Sequence, residues 1–151
     1  MGSKPILVRT DGSVSKSILI VDDLPQIRKL IRDYLEEENE FRVCGEAIDG
    51  FDAIGKAQSL KPDLIILDAS MPRMNGIEAA LKLKKVLPET PIILFTFHES
   101  MMHGFDAGEI GVDAVLTKDR GMFGLKASVK ALLQRRHLSV RQNDEAANQK
   151  R

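Results

Sequence analysis

The segment Ser17-Ile18-Leu19-Ile20-Val21-Asp22-Asp23-Leu24-Pro25-Gln26-Ile27-Arg28-Lys29-Leu30-Ile31-Arg32-Asp33-Tyr34-Leu35 changes its hydrophobic period part-way along. Ser17 to Val21 reads as a strand buried on both faces, because the apolar residues run without a break up to Asp22 and Asp23. Beyond them Ile27, Leu30, Ile31, Tyr34 and Leu35 fall at offsets 0, 3, 4, 7 and 8, one stripe along an α-helix. Pro25 fits the first helical turn, where its missing N–H is not needed. Glu36-Glu37-Glu38 reads as a solvated helix end.

The same strand-then-helix unit recurs four times downstream. Phe41 to Cys44 is expected as a strand and Phe51 to Leu60 as a helix with Ala53, Ile54, Ala57 and Leu60 inward. Lys61-Pro62 stops that helix. Leu64 to Leu67 runs as a strand into Asp68, followed by a helix over Ile77 to Leu87. Ile92 to Phe95 is a strand reaching Thr96, followed by a weaker helix over Ser100 to Ile110 that contains Gly104 and Gly108 and has Gly111 as its C-terminal cap. Ala114 to Thr117 is the fifth strand, ending at Lys118, and Leu125 to about Arg136 the last helix. Five such units with right-handed crossovers give an α/β fold, a doubly wound parallel sheet with helices on both faces. The expected organisation is a leader over 1–16, one domain over 17–137 and a polar, helix-tolerant tail over 138–151.

Composition excludes several classes. The chain has 151 residues, with 22 Lys+Arg against 22 Asp+Glu, so it lacks the basic excess of a chain built to grip nucleic acid or an anionic membrane. Its 43% hydrophobic and 29% charged residues are those of a globular domain. No apolar run approaches the ~20 residues that cross a bilayer, and Ile6 to Val8 is too short for a signal peptide. The single cysteine, Cys44, allows neither an internal disulfide nor a multi-cysteine metal site and reads as a small buried residue. These features point to the cytoplasm.

The polar exceptions to the strand pattern sit at the strand ends: Asp22 and Asp23, Asp68, Thr96 and Lys118. In an open parallel sheet, ligands bind outside the carboxyl ends of the strands. If the first and third strands are neighbours, three carboxylates meet, and two such charges ~4 Å apart repel by ~4 kcal/mol at an effective dielectric of 20. A cation or raised pKa values must offset that. An oxygen-only ligand set with no nearby His or Cys suits Mg2+. With an ammonium at Lys118 and a hydroxyl at Thr96, the set is fit for phosphoryl transfer to Asp68.

Val21-Asp22-Asp23, then Leu67-Asp68-Ala69-Ser70-Met71-Pro72-Arg73-Met74-Asn75-Gly76, then Thr96 and Lys118, resemble the response-regulator receiver domain of two-component signalling, over about Ser17 to Arg136. The resemblance implies a five-stranded flavodoxin-like fold of strand order 2-1-3-4-5. It also implies that Asp68 is the phosphoacceptor. Asp23, Asp68 and the backbone carbonyl of Ser70 would ligate Mg2+, Asp22 would hold a coordinated water, and Thr96 and Lys118 would contact the phosphoryl group. Pro72 and Gly76 would shape the loop, Gly76 through its conformational freedom. The implied donor is a histidine kinase or phosphotransfer protein. The implied output is a change in the surface of the fourth helix, fifth strand and fifth helix, which would meet an output domain, a partner or a second copy of the chain. The domain would thus be a phosphoacceptor in signalling, not an enzyme acting on an external substrate.

The sequence departs from the family pattern in places. Val115 stands where an aromatic switch residue is common, and Phe97 where a small residue is favoured, so that a bulky ring would narrow access to Asp68. Ser70 and His98 occupy positions that tune loss of the phosphoryl group. Asp119 follows Lys118 in place of the usual proline, which resembles receivers joined to helix-turn-helix DNA-binding domains. Only 33 residues follow Lys118, so the chain reads as a stand-alone receiver or the front of a longer regulator. Phe97 and Val115 motivate a second reading, a degenerate receiver that binds partners without phosphorylation. A haloacid-dehalogenase-like phosphatase is disfavoured, since neither Asp22-Asp23-Leu24 nor Asp68-Ala69-Ser70 supplies its Asp-x-Asp nucleophile.

Overall fold

The computed structural model describes residues 8, 12–97, 100, 104 and 106–149, with backbone alone for 137–141. Its elements are β1 (Lys16–Val21), α1 (Pro25–Glu36), β2 (Phe41–Ala47), α2 (Gly50–Leu60), β3 (Leu64–Leu67), α3 (Gly76–Val86), β4 (Ile92–Thr96), α4 (Ala107–Ile110), β5 (Ala114–Thr117) and α5 (Leu125–Gln149). All strand pairs are parallel, in the order β2-β1-β3-β4-β5 expected from the family resemblance.

Alternate strand residues point to opposite faces of a sheet, and each face has its own helices. Ile18, Ile20, Ile66, Ile93 and Phe95 pack with Ile31 and Leu35 of α1 and with Leu125, Val129, Leu132 and Leu133 of α5. On the other face Leu19, Val21, Ile65, Leu67 and Leu94 meet Ala53 and Ala57 of α2, Ala79, Ala80 and Leu83 of α3, and Ile110 of α4. The continuous apolar runs of β1, β3 and β4 follow from this: every apolar side chain in them enters one of the two cores, while Ser17 and Thr96 are buried polar residues at the strand ends and Lys16 is exposed. Cys44 is buried, its Sγ 3.5 Å from the Ile18 carbonyl oxygen.

Local chemistry sets the helix ends. Asp49 caps α2 by accepting from the Asp52 amide at 2.8 Å, and Lys61 ends it in the left-handed region at φ 46°. Asn75 caps α3 by accepting from the Glu78 amide at 2.9 Å. Gly111, at φ 81°, closes α4 as expected. The N-cap of α1 is Leu24, with no side-chain hydrogen bond, so neither Asp22 nor Asp23 is a helix cap there.

Three boundaries differ from the sequence reading by more than one residue. β2 runs to Ala47, beyond Cys44, because its register with β1 shifts between Ile18, opposite Val43, and Leu19, opposite Gly45. The shift breaks the alternation that marks a strand. The expected helix over Ser100 to Ile110 does not run unbroken: residues 101–103 and 105 lie outside the described residues, Gly104 is in the left-handed region at φ 88°, and Asp106 starts a fresh helix, Ala107–Ile110, by accepting from the Gly108 amide at 2.7 Å. α5 continues through the segment read as a tail, to Gln149, with residues 142–149 exposed. At the other end Lys16 joins β1, and Val8 forms an isolated antiparallel bridge with Val14.

Candidate functional site

Register brings the polar strand ends together. Val21 pairs with Leu67, so Asp22 and Asp68 leave adjacent strands at the same level, and the Asp68 amide donates to the Val21 carbonyl at 2.9 Å. Thr96 pairs with Thr117, which puts Lys118 one residue beyond the same edge. A single 3-10 turn, Lys118–Arg120, follows it. Asp22, Asp68, Thr96 and Lys118 are all buried. Ordinarily exposed residue types buried in one spot need partners, and the partners here are one another. The Lys118 ammonium is hydrogen-bonded to Asp22 Oδ2 and lies 3.5 Å from Asp68 Oδ2. Asp22 Oδ1 accepts from the Leu24 amide at 2.9 Å, and Asp68 Oδ1 from the Ser70 amide at 3.3 Å.

Carboxylate oxygens of Asp22, Asp23 and Asp68 lie within 4.8 Å of one another. Against three carboxylates stands one buried ammonium, so the pocket is net negative. Burial pushes the Asp68 carboxyl above the usual carboxylate range. Lys118 opposes this, the Asp22 charge adds to it, and the Ser70 amide and Thr96 hydroxyl pull back toward the charged form. Among the described residues the Asp23 carboxylate has no hydrogen-bond or ion-pair partner. A compact, all-oxygen, net-negative set with one unengaged carboxylate is what a hard divalent cation requires, so the residues present fit Mg2+.

The loop after Asp68 is held from two sides. Arg73 takes a left-handed conformation, φ 67°, and pairs through Nη2 with the buried Asp49 carboxylate. Hydrogen bonds from the Asp52 amide and from Arg73 hold Asp49 below the usual carboxylate range against the effect of its burial. Met74 is buried against Gly50, where a Cβ would come within 2.6 Å of its sulfur. Gly76 has a reason other than the conformational freedom expected for it. Its φ is not positive; a Cβ there would fall onto the Asp68 carbonyl oxygen and within 2.7 Å of Ala69 Cα. Close backbone approach, not a special turn, requires glycine.

Comparison with known proteins bears on this arrangement. The family model described as the response regulator receiver domain matches residues 18–141. The chain belongs to the response-regulator receiver family. It is 39% identical over 101 residues to the response regulator protein VraR of Staphylococcus epidermidis, covering 67% of this chain and 48% of that protein. The VraR protein of Staphylococcus aureus is 38% identical over the same length. This chain therefore spans about half the length of the curated relatives it matches. Among solved structures it resembles a LuxR-family response regulator from Aurantimonas sp. SI85-9A1 (TM-score 0.74, 28% identity, 80% of this chain and 86% of that one). It also resembles the TrrA response regulator of Thermotoga maritima in complex with Mg(2+)-BeF (TM-score 0.70, 33% identity, 78% and 98%). Among the described residues of this receiver no helix is long and apolar enough to cross a membrane.

The remaining residues singled out by sequence fall around the receiver pocket. Phe97 is 52% exposed, with its ring centroid 5.5 Å from the Lys118 ammonium; the Phe95 ring lies 5.8 Å from it on the buried side. Val115 is half-buried and packs against the α2–α3 face of the core. Ser70 is half-buried beside Asp68. His98 lies outside the described residues. Sequence reasoning passed over Arg28, whose guanidinium donates to the Asp22 carbonyl at 2.8 Å and to Glu46 at 3.0 Å. Glu46 is 18 residues away from it on β2, and nothing in local spacing announces that pair.

Proposed function

We propose that this receiver takes a phosphoryl group onto Asp68 from the phosphohistidine of a histidine kinase or phosphotransfer protein, with Mg2+ required, and signals through the face formed by α4, β5 and α5. The observation that supports this most is the convergence of three carboxylates on one buried ammonium and one buried hydroxyl at the carboxyl edge of the sheet. In the transfer a P–O bond forms to an Asp68 carboxylate oxygen while the donor P–N bond breaks, the imidazole nitrogen leaving with the electron pair. Mg2+, held by Asp23, Asp68 and the Ser70 carbonyl with Asp22 on a coordinated water, would supply positive charge beside the phosphoryl oxygens. The chain's own residues do the rest. The Lys118 ammonium, the Ser70 N–H and the Thr96 hydroxyl favour the ionised Asp68 that must attack. Lys118 then has a new anion within reach and moves from its carboxylate partners to a phosphoryl oxygen, as does the Thr96 hydroxyl. A product charge of about −1.5 to −2 draws both inward. Because Val115 has no ring to swing, the response must run through the backbone and packing of β4, α4 and β5. Likeness to the response regulator VraR and to a LuxR-family response regulator supports a role in transcription regulation, which on this reading is cytoplasmic and exerted through an output domain.

The test is intact mass after incubation with acetyl phosphate and Mg2+. One phosphoryl adduct is expected, absent with chelator and absent in Asp68→Asn. Phe97 beside the pocket favours a second reading, a receiver that acts without phosphorylation. No adduct from acetyl phosphate or from a cognate kinase would overturn the first reading and favour the second.

A further inference from the structure

Asp22 and Asp23 are consecutive, yet their surroundings differ. Asp22 is held at four points: its amide donates to the Ala47 carbonyl at 3.0 Å, Oδ1 accepts from the Leu24 amide, Oδ2 from Lys118, and its carbonyl from Arg28 Nη1 at 2.8 Å. Asp23 has no such ties among the described residues, so the direction of its carboxylate depends on the peptide plane that joins it to Asp22. The group that fixes that plane from outside is Arg28. Its Nε donates to Glu46 Oε1 at 3.0 Å, and Glu46 Oε2 takes Arg32 Nη2 at 2.6 Å. The Glu46 carbonyl is bonded in turn by Lys56 of α2. Burial works against the Glu46 charge, but Arg32 and Arg28 hold its carboxyl below the usual range. The Arg28 side chain is only 15% exposed, so its fork has little freedom once both arms are engaged.

We infer that Arg28, braced by Glu46, is a positioning residue for the cation site: it sets the Asp22–Asp23 peptide so that the Asp23 carboxylate faces Asp68. The inference rests on the Mg2+-dependent reading above. Its test turns on sign. Arg28→Gln removes a positive charge from beside the Asp22 carbonyl, and simple electrostatics then demands cation binding that is unchanged or tighter. Loss of positioning demands weaker binding, as when outer-shell partners of metal ligands are removed.

The experiment titrates Mg2+ into the full metal-free chain by calorimetry and follows amide hydrogen exchange at Asp22 and Leu24 by NMR. Arg28→Gln should weaken Mg2+ affinity about tenfold and speed exchange at both amides. Arg28→Lys, which restores the charge but not the two-armed reach, should recover only part of the affinity. Lys29→Gln, whose partner is the exposed Asp33, should change neither readout. Affinity in Arg28→Gln that is unchanged or tighter, in a variant with native circular dichroism, would overturn the inference. If the wild type binds no Mg2+, the metal reading fails, and the exchange rates alone then decide whether Arg28 holds the turn.

Discussion

Replacing Lys118 by Met probes the electrostatic centre of the molecule at nearly constant volume. The side chains of Lys118, Asp22 and Asp68 are 4%, 2% and 7% exposed, so water cannot replace the ammonium. At the 3.5 Å separation from Asp68, an effective dielectric of ~20 gives a gross attraction of ~5 kcal/mol. Burial of the charges offsets part of it, and the carboxylates keep hydrogen bonds from Leu24 and Ser70. A net loss of about 3 kcal/mol at neutral pH is expected, at the lower end for breaking a buried pair. The loss must depend on pH. The folded Asp68 pKa is already raised above its unfolded value, mainly by burial, and without the ammonium it rises further. The variant's deficit is therefore full above the folded value and shrinks as pH falls toward the ordinary carboxylate range, where the group is protonated in both states. Urea unfolding by circular dichroism, with chelator present, at about pH 7 and about pH 4.5 measures this; the chain has no Trp for fluorescence. A deficit equal at the two pH values, or absent at both, would refute the reasoning.

Other outcomes follow from the same geometry. Asp68→Asn removes the raised carboxyl, so the metal-free variant should lack the wild type's fall in stability as pH rises from the ordinary carboxylate range through the raised folded value; parallel urea titrations check it. Asp49→Ala removes the α2 cap and leaves Arg73 unpaired, for a loss of about 1–2 kcal/mol in urea unfolding. Since the Asp49 carboxyl is depressed, chiefly by the Asp52 amide and then by Arg73, its contribution is present above the unfolded pKa and disappears as pH falls through the folded one. Gly76→Ala drives a methyl into the backbone of Asp68 and Ala69 and should cost about 3 kcal/mol or abolish folding. Lys29→Ala, on an exposed i,i+4 pair, should change stability by less than about 0.5 kcal/mol.

What sequence could and could not reveal divides along physical lines. A strand buried on both faces must be apolar throughout, so β1, β3 and β4 announced themselves, and any charge at their ends stood out against that background. In a parallel sheet those ends share one edge, which is why Asp22, Asp68, Thr96 and Lys118 could be read as one site from positions far apart in the chain. The register shift after Ile18 breaks the alternation of β2, so only its first half carries a strand signal. The segment before α4 has a helical composition, but a left-handed Gly104 and the Asp106 cap interrupt it, and neither signal is strong in sequence. Gly76 was legible as necessary but not for the right reason: a turn requirement and a packing requirement look identical in sequence. Contacts that span elements, Arg28 with Glu46 and Arg73 with Asp49, carry no local signature.

The most direct measurement locates the phosphoryl group itself. After reaction with acetyl phosphate and Mg2+, borohydride converts an aspartyl phosphate to homoserine, and peptide sequencing by mass spectrometry reads the residue converted. Homoserine at position 68, and at neither 22 nor 23, is the predicted result. Conversion at either of those neighbours, or phosphoryl label that survives Asp68→Asn, would contradict the assignment of Asp68 as the acceptor.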